Sequence, residues 1–395
     1  MKKDISLASI SLILFLFLLL ICLFVLLPPD ASAQKQYPDC SKCHKIQFTG
    51  KNVHPIIKTG GCVACHTQPH EKEAKPRKFL FATGSELCAA CHDKSSFSRK
   101  HQHPPVAQGQ CTMCHNPHIS DFPKLLEDEV PNLCFRCHDK GKFDNKNIHP
   151  PVAGGMCMSC HNPHSTEADK LLLAAPPDLC HNCHDKSIFS GKKNLHPPVA
   201  GGLCTSCHGA HASPEQKLLL AKMPDLCFMC HDKKAITGKK VDHAPVKGGM
   251  CTSCHYPHQS DSEKLLISDK PDICFNCHDK TGFSMQNVHP PVAAGMCMEC
   301  HRPHTAAIKG LLAEKSVTKT CKKCHTDFDS SVHVLRGLGR KGHPVDIRRK
   351  IKGKKGEKIL FSCVSCHNPH STNSIKLFRF EAAAPADICK NCHNY

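Results

Sequence analysis

Tryptophan is absent from the 395 residues, tyrosine occurs three times, and aromatic residues make up 5% of the chain. A soluble domain of this length ordinarily buries a large aromatic and aliphatic core, so the shortage excludes a conventional interior unless staples or a bound group replace it. Beyond residue 33 no run is long and apolar enough to cross a bilayer as a helix. No cysteine after Cys22 lies outside one repeated motif, and in no copy does lysine take the place of the motif's last residue.

What the chain has in excess is cysteine, 31 copies, and histidine, 32 copies. Apart from Cys22, the cysteines form fifteen CxxC pairs, and histidine follows every pair at once. The triplets are Cys40, Cys43 and His44; Cys62, Cys65 and His66; Cys88, Cys91 and His92; Cys111, Cys114 and His115; Cys134, Cys137 and His138; Cys157, Cys160 and His161; Cys180, Cys183 and His184; Cys204, Cys207 and His208. They continue with Cys227, Cys230 and His231; Cys251, Cys254 and His255; Cys274, Cys277 and His278; Cys297, Cys300 and His301; Cys321, Cys324 and His325; Cys363, Cys366 and His367; Cys389, Cys392 and His393. A zinc site needs two CxxC pairs per ion and gives no role to a histidine fixed behind each one. A disulfide or thioredoxin-like reading is equally indifferent to that histidine. Attachment of c-type haem uses all three residues: two thiols one turn apart meet the vinyl groups, and the adjacent imidazole meets the iron as its proximal ligand. The expectation is fifteen covalently attached haem c groups. About 362 mature residues then serve them, roughly 24 each, and the porphyrins themselves make the core.

The amino terminus reads as a targeting segment. Lys2 and Lys3 precede a mostly apolar run from Leu7 to Leu27, and Ala31-Ser32-Ala33 fits a small-residue cleavage site. Residues 1–33 are expected to be a signal peptide, placing the chain in the periplasm, at the outer membrane or outside the cell. The run is long for a signal core, so an uncleaved anchor is the alternative. Cys22 follows Ile21, where lipidation would want a small residue, and reads as apolar filler.

The formal charge of +18 would suggest nucleic acid or an acidic membrane. Fifteen haems with their propionates add roughly −15 oxidised and −30 reduced, which leaves about +3 and −12. Most lysines then read as propionate partners, and no nucleic acid is expected.

The motifs alternate between two kinds at a paired period of 46 to 49 residues through most of the chain. The first reads HPPVAGGxCxxCHxPH, the second PDLCxxCHDK. In the second, Asp178, Asp225 and Asp272 stand just before Leu or Ile and the first cysteine, which predicts an N-cap and a short helix carrying the motif. In the first, a glycine turn leads into the motif. Clusters such as Lys170-Leu171-Leu172-Leu173 and Lys217-Leu218-Leu219-Leu220 are expected to cover haem faces or edges. The methionines are scattered without a repeated slot and read as packing.

The histidines can be counted out. Setting aside the proximal fifteen, His181 inside its own CxxC and His101 beside His103, fifteen remain. These are His54, His70, His103, His118, His149, His164, His196, His211, His243, His258, His289, His304, His333, His343 and His370, the candidate distal ligands. His164 lies one turn beyond His161, too close to reach round the same porphyrin, so it serves a different haem. His149 has enough chain to wrap round its own haem or to serve the preceding one of the second kind.

At these residues the chain resembles the multihaem c-type cytochromes with doubled CxxCH motifs. Among them are the long periplasmic and outer-membrane electron-conduit cytochromes of metal-respiring bacteria. The resemblance covers residues 40–395 and rests on CxxCH, on His161-Asn162-Pro163-His164 and on the HPPV lead-in. It implies an elongated haem chain, little regular secondary structure and no substrate pocket. Those conduits often carry ten haems, so a particular partner does not transfer.

The expected fold class is mostly irregular with short α-helices and little β, an elongated repeat-built multihaem cytochrome c with a haem-chain core. Residues 34–325 form tandem two-haem repeats with thirteen motifs, residues 326–362 a basic insertion, and residues 363–395 a terminal two-haem unit. The insertion holds Arg348, Arg349, Lys350, Lys352, Lys354 and Lys355 and reads as a β-hairpin with a glycine turn. It either balances propionates or docks an acidic redox partner. The expected work is electron transfer between protein donors and acceptors, with no catalysis, because bis-histidine iron has no open site. The rivals are a filament subunit or porin-bound conduit, and a reductase with an open haem.

Overall fold

The computed structural model describes residues 50–66, 79–327, 345–350 and 358–391. The amino-terminal segment with Cys22, and Cys40, Cys43, His44, His70, His333, His343, Cys392 and His393, lie outside the described residues, as does the turn of the basic insertion.

Regular structure comes in single turns and two-residue strands. In the first motif kind, Pro150 and Pro151 preset the backbone at the start of the helix Pro150–Ala153, where the missing proline N–H is not needed. His149 precedes it in extended conformation, and Gly155, at φ 67°, stops it. The 3-10 turn Cys157–Ser159 follows and closes with His161 N–H donating to the Cys157 carbonyl at 3.1 Å. Both cysteines and the histidine thereby occupy one turn.

The second kind carries its motif on four-residue helices, Asp178–His181, Asp225–Phe228 and Asp272–Phe275. The aspartates are not the N-caps expected of them. Pro177, Pro224 and Pro271 hold the cap position, and each aspartate is the first residue inside. The side-chain cap belongs to the aspartate behind the motif instead. Asp139, Asp185, Asp232 and Asp279 accept from Gly141, Ser187, Lys234 and Thr281 N–H at 2.9 to 3.0 Å and start the next turn.

The chain divides into two units, Met1–Leu133 and Cys134–Tyr395. In the first, Asn52–Val53 pairs antiparallel with Ile119–Ser120. In the second, Asn147–Ile148 pairs with Ala212–Ser213, Asn194–Leu195 with Gln259–Ser260, Val241–Asp242 with Thr305–Ala306, and Asn287–Val288 with Ser371–Thr372. The strand ahead of one HPPV lead-in thus pairs with the strand behind the next CHxPH. Within each unit these pairs staple a repeat to its successor across the intervening motif of the second kind. Ile347–Lys350 and Lys358–Phe361 form a longer antiparallel pair.

Small hydroxyls hold these staples. Ser213 Oγ donates to the Leu219 carbonyl at 2.5 Å and accepts from Glu215 N–H at 3.0 Å; Ser260 and Thr372 repeat the arrangement. Among the described residues the buried apolar side chains are only Ala306, Phe378 and Ile388, whereas Ser165 and Ser371 are wholly buried. Leu173, Leu203, Leu220 and Met250 stay about half exposed. A polypeptide this short of apolar burial does not supply its own core. The fold is repeat-built and mostly irregular, with short helices and little sheet, as expected. No helix among the described residues is long and apolar enough to cross a membrane.

Candidate haem-binding sites

Six motifs of the first kind, those starting at Cys111, Cys157, Cys204, Cys251, Cys297 and Cys363, are clasped by a segment nine residues beyond the motif histidine. It is Lys-Leu-Leu in four of them, and Gly310-Leu311-Leu312 and Lys376-Leu377-Phe378 in the others. His161 Nδ1–H donates to the Lys170 carbonyl at 3.0 Å, Asn162 N–H to the Leu171 carbonyl at 2.9 Å, and Leu173 N–H to the Cys160 carbonyl at 2.9 Å. The proximal rings of His115, His208, His255 and His367 meet Lys124, Lys217, Lys264 and Lys376 in the same way at 2.8 to 3.0 Å, and His301 meets Gly310 at 2.8 Å. A ring whose Nδ1 carries the proton presents Nε2 as its lone pair, fixed in orientation for a metal. Two successive residues in the left-handed region aim these carbonyls, Lys170 at φ 58° and Leu171 at φ 57°, at a cost of about 1–2 kcal/mol each. Beyond the leucine cover expected of it, this segment supplies a carbonyl anchor for the proximal ring. Its signal in the sequence is the fixed nine-residue spacing from the motif histidine to the clasping residue at six motifs of the first kind.

The second ring of each site arrives from elsewhere in the chain. His149 and His184 lie 6.1 Å apart between ring centroids, His196 and His231 6.1 Å, His243 and His278 6.1 Å, and His289 and His325 6.2 Å. His161 and His211 lie 6.0 Å apart, His208 and His258 6.2 Å, His255 and His304 5.9 Å, and His301 and His370 5.9 Å. In the unit Met1–Leu133, His54 faces His92 and His66 faces His118, both at 6.1 Å. Two imidazoles on opposite faces of one metal, each with a metal–nitrogen bond of about 2.0–2.1 Å, put their ring centres about 6 Å apart. Ten such gaps therefore match one iron each.

The partners differ from one expectation. His149 faces neither its own motif's histidine nor the preceding one; it meets His184 of the following motif. The reason is the staple, since His149 N–H donates to the His211 carbonyl at 2.8 Å and turns the lead-in away from His161. The CHxPH histidine does reach another motif: His211, the counterpart of His164, faces His161 one repeat back. His103 caps the helix Pro104–Ala107 as His149 caps its own, and His164 N–H is held by Asn162 Oδ1 at 2.9 Å. His138 closes its turn on the Cys134 carbonyl at 3.0 Å, and Cys389 lies in the turn Pro385–Asn391. His181, set aside in the count, packs on Phe189 at 5.7 Å, the slot where Phe135 meets Phe143 and Phe275 meets Phe283.

Burial, and then the facing ring, lowers the pKa of His211, His258, His304 and His370, which favours the neutral imidazole that binds metal. Thiols of successive motifs also meet. The free thiols of Cys180 and Cys204, Cys227 and Cys251, and Cys274 and Cys297 are hydrogen-bonded, with burial as the first cause of the raised Cys180, Cys227 and Cys274 thiols. Cys321 and Cys363 share such a bond, which pulls Cys363 down to about 6. Burial, and then the neighbouring Cys183, Cys230 and Cys277, raises the thiols of Cys160, Cys207 and Cys254. No group of three or more histidine, cysteine or acidic side chains among the described residues converges as a metal cage of the zinc type.

Facing imidazoles, one of each pair borne on a CxxC turn, in a body with almost no apolar core, define a multihaem c-type cytochrome, a class that works in electron transfer. The chain belongs to the doubled CXXCH motif family, whose model matches residues 54–97, 103–143, 149–188, 196–236, 243–283, 289–330 and 355–395. No curated protein matches the chain.

Proposed function

We propose that this chain conducts electrons along fifteen bis-histidine c-type haems in respiratory or extracellular electron transfer, passing them between redox proteins outside the cytoplasm. The observation that carries the reading is the repeated pair of facing imidazoles about 6 Å apart at ten motifs. Bound haem supplies a one-electron couple, with histidine on both faces favouring low potential. The chain's residues do the rest. The CxxC thiols fix each group covalently, the lysine and proline carbonyls lock the imidazole tautomers, and the paired rings keep exogenous ligands off the iron.

Order along the conduit follows from the cysteines. In the unit Cys134–Tyr395 the second cysteine of one motif neighbours that of the next, Cys160 with Cys183, and the first cysteine of that motif is hydrogen-bonded to the first of its successor, Cys180 with Cys204. Attachment edges of consecutive motifs therefore adjoin in sequence order, which supports a row rather than a cluster. A reductase would need an exchangeable position, and ring pairing disfavours one at these ten motifs.

The test is a haem count by pyridine haemochrome and intact mass, followed by potentiometric titration and ligand addition. Fifteen haems, a broad low-potential titration and no response to carbon monoxide or nitrite are expected. A high-spin ferric signal that responds to nitrite would overturn the passive-conduit reading.

A further inference from the structure

Six clasps place a pair of residues in the left-handed region, and in five of them the first of the pair is lysine: Lys124 (φ 57°), Lys170 (58°), Lys217 (56°), Lys264 (57°) and Lys376 (49°), against Gly310 (79°) in the sixth. A position chosen for its backbone alone is best filled by glycine, and next by asparagine or aspartate. Gly310 performs the backbone task fully, since its carbonyl takes His301 Nδ1–H at 2.8 Å, the distance at which Lys217 takes His208. Lysine therefore stands in a conformation that disfavours it, five times, for something its side chain does.

Among the described residues no ion pair to an acidic side chain is seen for these five lysines. Lys192 pairs with Asp261, Lys323 with Glu299 and Lys390 with Asp387, and none of these pairs includes the five lysines. Each of these lysines is nonetheless tied to one site through its backbone: the Lys217 carbonyl takes His208 Nδ1–H at 2.8 Å, and His258 faces His208 at 6.2 Å. A lysine whose carbonyl touches the proximal ring carries its ammonium within one side-chain length of that ring. A c-type haem brings two propionates to such a place, and a neighbouring cation opposes the negative charge gained on reduction.

We propose that the five lysines are positioning residues for redox potential: each supplies the cation that pairs with a propionate of the haem whose proximal imidazole its carbonyl anchors, and at His301 the anchoring position itself carries no cation, Lys309 standing one residue before it. The inference rests on the haem reading above and specifies how the conduit is tuned. Sites served by lysine sit higher in potential than the site served by Gly310, so the row is uneven by construction.

The test uses the holoprotein. Replacing all five lysines by glycine relieves the backbone and is expected to raise thermal stability. It is also expected to shift the reduction equilibria of five haems toward the oxidised form by about tenfold each, or 59 mV for one electron. Replacement by arginine at the same positions keeps the charge and is expected to leave the titration in place. The converse variant, Gly310→Lys, guards against a quintuple variant that does not fold, and is expected to lower stability while raising the potential of one haem. Unchanged potentials in the glycine set or in Gly310→Lys would overturn the proposal. Haem content separates the two levels of argument. A shortfall of attached haem in the unsubstituted protein counts against the conduit reading, whereas full haem with unmoved potentials sinks the lysine inference alone.

Discussion

His149 and His184 face each other with ring planes 13° apart, whereas the neighbouring pair His161 and His211 is tilted by 34°. The alternation persists along the unit Cys134–Tyr395. Motifs of the second kind give 12°, 10° and 15°, and those of the first kind 36°, 35° and 36°. Different carbonyls set the planes: lysine or glycine carbonyls hold the proximal rings of the first kind, and proline carbonyls hold the lead-in rings, as Pro257 holds His196 at 3.0 Å. The unit Met1–Leu133 departs from the alternation: His66 and His118, a pair of the first kind, lie at 14°, and His54 departs furthest. Its buried Nδ1 has no partner, and it stands at 70° to His92.

That geometry predicts the paramagnetic spectrum of the oxidised protein. Parallel imidazole planes split the iron d orbitals and give ordinary rhombic low-spin signals, and near-perpendicular planes leave those orbitals almost degenerate and give a broad low-field signal. Frozen-solution electron paramagnetic resonance is expected to show mostly rhombic signals with a low-field component from the His54/His92 site. His54→Met should remove that component; its survival would mean that the angle is not carried into the haem protein.

Distal substitution tests the forward pairing. His149→Ala is expected to open one iron, seen as a high-spin ferric band and as carbon monoxide binding after reduction, with imidazole restoring the low-spin form. Adding Cys180→Ala and Cys183→Ala, which deletes attachment at the motif of His184, should abolish the new band. Adding Cys157→Ala and Cys160→Ala should leave it. The opposite pattern would return His149 to its own motif.

The alternation of motifs, the tally of proximal histidines and the poverty of core were all legible in the residues, because covalent attachment demands a contiguous signature. The partner of His149 was not. It depends on a two-residue ladder to Ala212–Ser213, too short to leave a period-two pattern and joined across a whole repeat. The lysine carbonyl anchor was hidden for another reason. Left-handed backbone at Lys170 and Leu171 contradicts local propensity, so only tertiary contact with His161 reveals it. Asp178 misled because proline in front of it took the cap position, leaving the carboxylate inside the first turn.

The hydroxyl staples give a stability prediction. Ser213 is 3% exposed, donates to the Leu219 carbonyl and accepts from Glu215 N–H. Ser213→Ala strands both backbone groups and is expected to cost about 1–3 kcal/mol. Thermal unfolding followed by the haem band should show the loss with little change in the native spectrum. Ser213→Thr should be tolerated, since Thr372 fills the equivalent slot. Equal losses in both variants would assign the effect to packing rather than to the hydroxyl.

Two glycines separate conformation from contact. Gly202 has φ 68°, and a Cβ there would lie 2.7 Å from Pro177 Cδ and 3.1 Å from Pro177 N, with Gly249 against Pro224 and Gly295 against Pro271 repeating the approach at 2.8 and 2.9 Å. Gly191 has φ 105° and open space. Gly191→Ala therefore carries backbone strain alone, about 1–3 kcal/mol, while Gly202→Ala adds an overpacking cost of about 1–3 kcal/mol. The two effects also differ in reach. Pro177 caps the helix bearing Cys180, and Cys204 follows Gly202 by two residues, so the added methyl pushes apart the turns that bring those two thiols together. Denaturant unfolding should rank Gly202→Ala below Gly191→Ala, and only Gly202→Ala should slow electron exchange between the haems attached at Cys180 and Cys204. Equal stability losses with unaltered exchange would show that the glycine–proline contact does not set the spacing of consecutive sites.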